Sequence, residues 1–174
     1  TGIGCYFRYS GSAVIEDNII EESGGIGIYL MNARSAVIAN VTVKNSDSNG
    51  MYLYGSSVSI GNPVTIQGSG NDGIYACDSS LSIENATLSG NNGHGIYLNG
   101  KKEFTLRDSV IENNGGGVTS VDPDDSWGNA MVEHNIIRNN NRIGFSGDGL
   151  YIMLRQHNAT IRNHAVKLIL RTHR

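Results

Sequence analysis

A glycine returns at nearly constant intervals along this chain, each time at the head of a short strand-like tetrapeptide. The series runs Gly4-Cys5-Tyr6-Phe7, Gly27-Ile28-Tyr29-Leu30, Gly50-Met51-Tyr52-Leu53, Gly73-Ile74-Tyr75-Ala76, Gly95-Ile96-Tyr97-Leu98, Gly117-Val118-Thr119-Ser120 and Gly149-Leu150-Tyr151-Ile152. The glycines are 23, 23, 23, 22, 22 and 32 residues apart. A second apolar segment follows each tetrapeptide, as in Ala13-Val14-Ile15, Ala36-Val37-Ile38 and Leu81-Ser82-Ile83. Two residues beyond it stands a short polar residue: Asp17, Asn40, Asn62, Asn85, Asp108, His134 or Asn163. A third apolar piece, such as Val41-Thr42-Val43 or Val110-Ile111, then leads through a polar turn to the next glycine.

Self-similarity at this period marks a solenoid, in which one repeat cannot bury its own apolar face and must stack on its neighbours. Apolar residues alternate with period 2 inside each segment, the pattern of a half-buried strand, and no helical stripe reaches helix length. The expected fold is therefore all-β: a single right-handed parallel β-helix of about seven coils with three short strands per coil. One domain is expected over residues 1–174, with regular coils over 4–166 and an irregular tail over 167–174. The 23 glycines and 2 prolines suit many tight turns. Asn and Asp tolerate the left-handed conformation, so the column Asp17 to Asn163 is expected to form a tight bend. Asn40 and Asn85 are expected to be largely buried, with their amides bonded to neighbouring coils or backbone as an asparagine ladder.

The net charge of −3 is small and spread out, with no basic stripe for nucleic acid. No apolar run is long enough to span a membrane as a helix. Cys5 and Cys77 are expected three coils apart, roughly 14 Å at parallel-strand spacing, too far for a disulfide. His94, His134, His157, His164 and His173 have no metal-binding spacing.

Within Gly-Ile-Tyr-Leu the aliphatic residues share one face and tyrosine takes the other. Cys5, Ile28, Met51, Ile74, Ile96, Val118 and Leu150 are thus expected inside. Tyr6, Tyr29, Tyr52, Tyr75, Tyr97 and Tyr151 are expected outside in one exposed column, interrupted by Thr119. Such a column can act as a platform for a sugar polymer, because tyrosine joins an apolar ring to a polar tip. It can equally serve stability, since like residues stack on adjacent strands. Two turns break the regular length. One, 121–129, contains Asp122, Asp124, Asp125 and Trp127; the other, 139–148, contains Arg142 and Asp148. Long loops on a regular scaffold are where function concentrates.

These repeats resemble the pectate-lyase-like superfamily of parallel β-helix repeat proteins. The resemblance covers Gly4 to about Val166, with the Gly-Ile-Tyr-Leu strand matching the family's first sheet. It implies a substrate groove on that sheet's outer face, here around Tyr75, Tyr97, Tyr151 and Trp127. It also implies carbohydrate binding and a secreted or cell-surface protein.

Three chemistries of this superfamily can be tested on the residues. Asn71-Asp72 followed by Gly93-His94-Gly95 is similar to the polygalacturonase pattern, which needs three aspartates and an Arg-Ile-Lys. Here Asn49 and Asn71 replace two acids and Arg142-Ile143-Gly144 departs from the basic motif, leaving one carboxylate where an inverting hydrolase needs two. Asp122-Pro123-Asp124-Asp125 resembles the Asp-Pro-His-acid motif of mannuronan C5-epimerases, with Asp124, Thr119 and Met153 departing from it. Pectate lyases use Ca²⁺ with an arginine base, which would correspond to calcium on Asp122, Asp124 and Asp125 beside Arg138 or Arg142. If the chain is an enzyme, it is a polysaccharide lyase, glycoside hydrolase or uronate epimerase whose catalytic candidates are Asp122, Asp124, Asp148 and Arg142.

The leading expectation is a module that binds or processes an extended polysaccharide on its tyrosine face. The competing ones are a structural or adhesive β-helix without catalysis and an excised part of a carbohydrate-active enzyme. Terminal coils present unpaired strands, so further coils in a longer native chain, or self-association at the coil ends, are expected to cover them. No nucleic-acid or membrane partner is expected.

Overall fold

The computed structural model describes residues 2–9, 11–100, 102–121 and 130–140, together with the backbone of the strands Leu150–Met153, Ala159–Arg162 and Leu168–Arg171. Among these residues there is no helix, and every strand pairing is parallel. One sheet has eight strands, namely Cys5–Arg8, Ile28–Met31, Met51–Tyr54, Ile74–Cys77, His94–Asn99, Gly116–Val121, Leu150–Met153 and Leu168–Arg171, in that order. Their register follows the sequence period: Ile28 pairs with Met51, Met51 with Ile74, Ile74 with Ile96 and Ile96 with Val118. The chain is a β-solenoid.

The second and third segments of each coil belong to one ten-stranded sheet. In the first three coils they run as single bent strands, Ser12–Glu21, Ser35–Lys44 and Ser57–Gln67, where three short strands per coil were expected. From Ser80–Glu84 and Ala86–Ser89 onward they separate. The described residues make about five complete turns, against the seven coils counted in the sequence. Leu168–Arg171 pairs with Leu150–Met153, so the first sheet continues past Val166 into the segment read as an irregular tail. That segment was missed because it lacks the leading glycine by which the repeat is recognised.

The aliphatic rows face inward as expected: Ile28, Met51, Ile74, Ile96 and Val118 are fully buried. Burying each such side chain is worth about 1.5–3 kcal/mol, and stacking distributes that gain along the axis. Cys5, in the strand that opens the sheet order, is only half-buried. The repeating glycine has a steric cause. A Cβ at Gly50 would lie 2.4 Å from Cγ2 of Ile66 and 2.7 Å from the carbonyl oxygen of Gly73. The aliphatic residue of the third segment occupies the space that a side chain would need.

The Asn/Asp column does make the bend. Asp17, Asn40, Asn62, Asn85, Asp108 and His134 all have φ between +47° and +60°. The expectation that these side chains form a buried ladder is wrong, because all six are exposed. Asn40 Nδ2 donates to Asp17 Oδ1 at 2.6 Å, and His134 Nδ1 lies 3.8 Å from Asp108 Oδ1. The buried ladder is at the corner before the first sheet, in the column Ser23, Ser46, Ser69, Asn91, Asn114 and Asn140, each at most 7% exposed. At the bend, then, these side chains support the left-handed conformation and do not form a buried ladder. Asn85→Ala is expected to cost about 1 kcal/mol, because alanine lacks the short polar side chain that lets asparagine hold the left-handed region, while Asn85→Gly should be close to neutral. Urea denaturation of both variants checks this; equal losses would show that the Asn85 amide itself is structural.

Candidate functional site

The outer face of the eight-stranded sheet carries the tyrosines. They are in register: Tyr6 pairs with Tyr29, Tyr29 with Tyr52, Tyr52 with Tyr75 and Tyr75 with Tyr97. Parallel strands set identical residues about 4.8 Å apart, and the rings adopt that spacing. Successive centroids are 5.1, 5.0, 4.9 and 5.3 Å apart. The first two contacts are tilted and edge-on, whereas Tyr52–Tyr75 and Tyr75–Tyr97 stack within 13° and 7° of parallel. Such aromatic pairs add about 0.5–1.5 kcal/mol each beyond burial.

Tyr6, at the end of the column, is 49% exposed. Tyr29, Tyr52, Tyr75 and Tyr97 are half-buried instead of fully exposed. From Tyr52 to Tyr97 the rings turn their faces to one another and leave edges and hydroxyls to solvent. Burial first, and then the neighbouring Tyr75, Cys77, Tyr29 and Tyr54, push the Tyr52 phenol above its ordinary value. Tyr52 therefore stays neutral, and its hydroxyl stays a donor, throughout the physiological range. Asn99 Nδ2 donates to the Tyr75 hydroxyl at 3.2 Å, which orients that group. The Tyr29 hydroxyl points at the Met31 sulfur, 3.9 Å away.

A second column borders the tyrosines on the side of the leading glycines. Asp72 N–H donates to Asn49 Oδ1 at 3.0 Å. His94 N–H donates to Asp72 Oδ1 at 2.6 Å, and His94 Nδ1 lies 2.9 Å from the same oxygen. A carboxylate oxygen can only accept, so Nδ1 carries the proton and the imidazole is held in one orientation. His94 is buried, its ring centroid is 5.0 Å from that of Tyr97, and its edge occupies the space above Gly116. A Cβ on Gly116 would meet His94 Cδ2 at 2.5 Å. The sequence reading weighed Asp72 and His94 against the polygalacturonase pattern and missed that they brace the tyrosine column. The available signal was the glycine one coil on, at the position that pairs with His94.

Of the residues singled out in the sequence, Tyr75 and Tyr97 are brought together on this face. The backbone of Tyr151 pairs with Thr119 in the same sheet, but its side chain lies outside the described residues. Asp122, Asp124, Asp125, Trp127, Arg142 and Asp148 also lie outside them. Both thiols are free, as the coil spacing required. Burial raises the Cys5 thiol, and burial followed by the Asp78 charge raises Cys77, which keeps both protonated and weakly reactive.

Fold and face together define a parallel β-solenoid that presents a stacked-tyrosine strip on its first sheet. The chain belongs to the family described as periplasmic copper-binding protein (NosD), whose sequence model matches residues 1–150. No curated protein and no solved structure gives a significant match.

Copper favours imidazole, thiolate and thioether donors gathered at one point. Among the described residues no three His, Cys, Asp or Glu side chains converge on a common point. The described thioethers are occupied elsewhere: Met51 is in the core, Met31 faces the Tyr29 hydroxyl, and the Met131 sulfur lies 2.7 Å from Arg107 Nη2. The described residues do not fit a copper centre.

Proposed function

We propose that this chain is a binding module of the space outside the cytoplasm, which holds an extended polysaccharide along the tyrosine strip of its first sheet. The stack from Tyr6 to Tyr97, one ring per coil at 4.9–5.3 Å, carries this reading. A polymer lying along the axis meets an equivalent group at every coil, close to the length of one sugar residue. From Tyr52 to Tyr97 the rings cover one another's faces, so contact there is made with their edges and hydroxyls. Each contact is modest, so affinity grows with polymer length and stays weak for short oligomers. The family's periplasmic description supports the location.

The test is retention on polysaccharide gels by wild type and by Tyr75→Ala/Tyr97→Ala. Retention of wild type with at least ten-fold weaker retention of the variant is the expected result. Equal retention of a folded variant makes the strip structural and favours an adhesive or scaffold role. Polymer turnover abolished by Asp122→Ala would instead support the catalytic reading of the long turns, with calcium dependence pointing to Asp122, Asp124 and Asp125.

The family description favours a second reading, copper binding. A copper titration against a competing chelator separates it from the first. Stoichiometric binding, unaffected by substitution of the tyrosines, would place a metal site on this chain apart from the strip.

A further inference from the structure

We infer that the polymer held on the strip is a neutral polysaccharide, an extended chain of uncharged hexoses, and not a uronate or sulfated one. This inference rests on the polysaccharide reading above and names the class of ligand.

Along the strip from the second to the fifth coil, the outward groups are the phenols of Tyr29, Tyr52, Tyr75 and Tyr97. Beside them runs the outward row Met31, Tyr54, Cys77 and Asn99, set by the same register. These rows consist of phenols, a thioether, a thiol and an amide, with no Asp, Glu, Lys or Arg among them, and the Tyr52 phenol and the Cys77 thiol are both held above their ordinary values. The bordering charge, Asp72, already accepts from the backbone N–H of His94 and faces its Nδ1. At the end of the column the Arg8 guanidinium sits 4.8 Å over the Tyr9 ring. Neither outward row holds a cation from the second to the fifth coil, and Arg34 and Lys102 lie in the segments that follow the outer row.

A polyuronate laid here would bring one carboxylate to each coil, about every 4.8 Å, and strip water from it with no counter-charge in either row. Asp72 would add repulsion. A neutral chain avoids both costs, and its hydroxyls can donate to and accept from the phenol hydroxyls, which do the same in return. The one-per-coil spacing also selects for an extended chain whose rise matches the strands, since a coiled polymer would drift out of register after a few coils.

The experiment uses the full chain in affinity electrophoresis and calorimetry, at low and at physiological salt, with a soluble β-1,4-linked neutral glucan or mannan against polygalacturonate and alginate. A Tyr52→Phe/Tyr75→Phe/Tyr97→Phe variant is run in parallel; it keeps the ring stack and removes the hydroxyls. The expected result is at least ten-fold tighter binding of a neutral polymer than of either uronate, nearly independent of salt, and at least a ten-fold loss in the triple variant with its thermal midpoint unchanged. Equal or tighter binding of a uronate by wild type, lost in the triple variant, overturns the neutral assignment and leaves the strip as the site. No binding of any polymer, or binding that the triple variant retains in full, overturns the polysaccharide reading itself and this inference with it.

Discussion

Phe104→Ala is expected to destabilise the solenoid by about 3–5 kcal/mol, one of the two largest single-site effects anticipated for this chain. Phe104 is 2% exposed and is the bulkiest of the fully buried side chains. It stands in the first inward row of the ten-stranded sheet, where register aligns Ala13, Ala36, Val58, Leu81, Phe104 and Ala130. The row swells from alanine to phenylalanine and then resets at Ala130, whose small side chain leaves room beneath the ring. Truncation removes the ring's transfer energy and leaves a cavity, because hydrogen-bonded coils on both sides cannot close over it. Thermal unfolding followed by circular dichroism should show a midpoint lower by on the order of 10 °C. Phe104→Leu, which retains most of the volume, should cost less than about 1.5 kcal/mol. A loss below about 1 kcal/mol in the alanine variant would mean that the neighbouring coils collapse onto the vacated space.

Asn114→Ala is expected to cost about 3 kcal/mol. Asn114 Oδ1 accepts from Asn91 N–H at 3.0 Å and from Asn91 Nδ2 at 2.8 Å. Its Nδ2 donates to Leu88 O at 3.0 Å and to Asn140 Oδ1 at 2.9 Å. All three asparagines are at most 2% exposed, so alanine would leave several dry polar groups unpaired at about 1–3 kcal/mol each, with partial relaxation. Serine fills the same column two and three coils earlier, and the hydroxyls of Ser46 and Ser69 have no partner. Ser46→Ala should therefore change stability by less than about 0.5 kcal/mol. Amide hydrogen exchange at Asn91 offers a local check: protection should fall in Asn114→Ala and persist in Ser46→Ala. Comparable losses in the two variants would show that the amide ladder contributes nothing beyond filling space.

The contrast between these columns shows where sequence reading reached its limit. Asn40, Asn62 and Asn85 recur at the coil period, and so do Ser46, Ser69 and Asn91. Periodicity puts both sets at corners and cannot say which corner turns its side chains inward. The first set holds the left-handed bend and points to solvent, while the second is overlaid by Gly27, Gly50 and Gly73, whose missing Cβ atoms leave it space. The tyrosines divide in the same way. Their outward column was legible, because alternation within a strand assigns a face. That they cover one another's ring faces was not, because ring orientation depends on the side-chain torsions that neighbouring coils permit. The Asp72–His94 brace was equally hidden, since it joins two coils through the gap left by Gly116.

What the sequence by itself determined was the coil period, the parallel register that follows from it, the inward rows of Ile, Leu, Val and Met, and the outward tyrosines. These depend only on repeat length and on the two-residue alternation of strands, which are properties of the chain's order. Tertiary structure alone decided which polar column is buried, how the rings face, that the second and third segments fuse into long bent strands in the first coils, and that Leu168–Arg171 joins the first sheet. Each of these depends on the volume and the hydrogen-bonding groups that an adjacent coil offers, and those exist only once the coils have stacked.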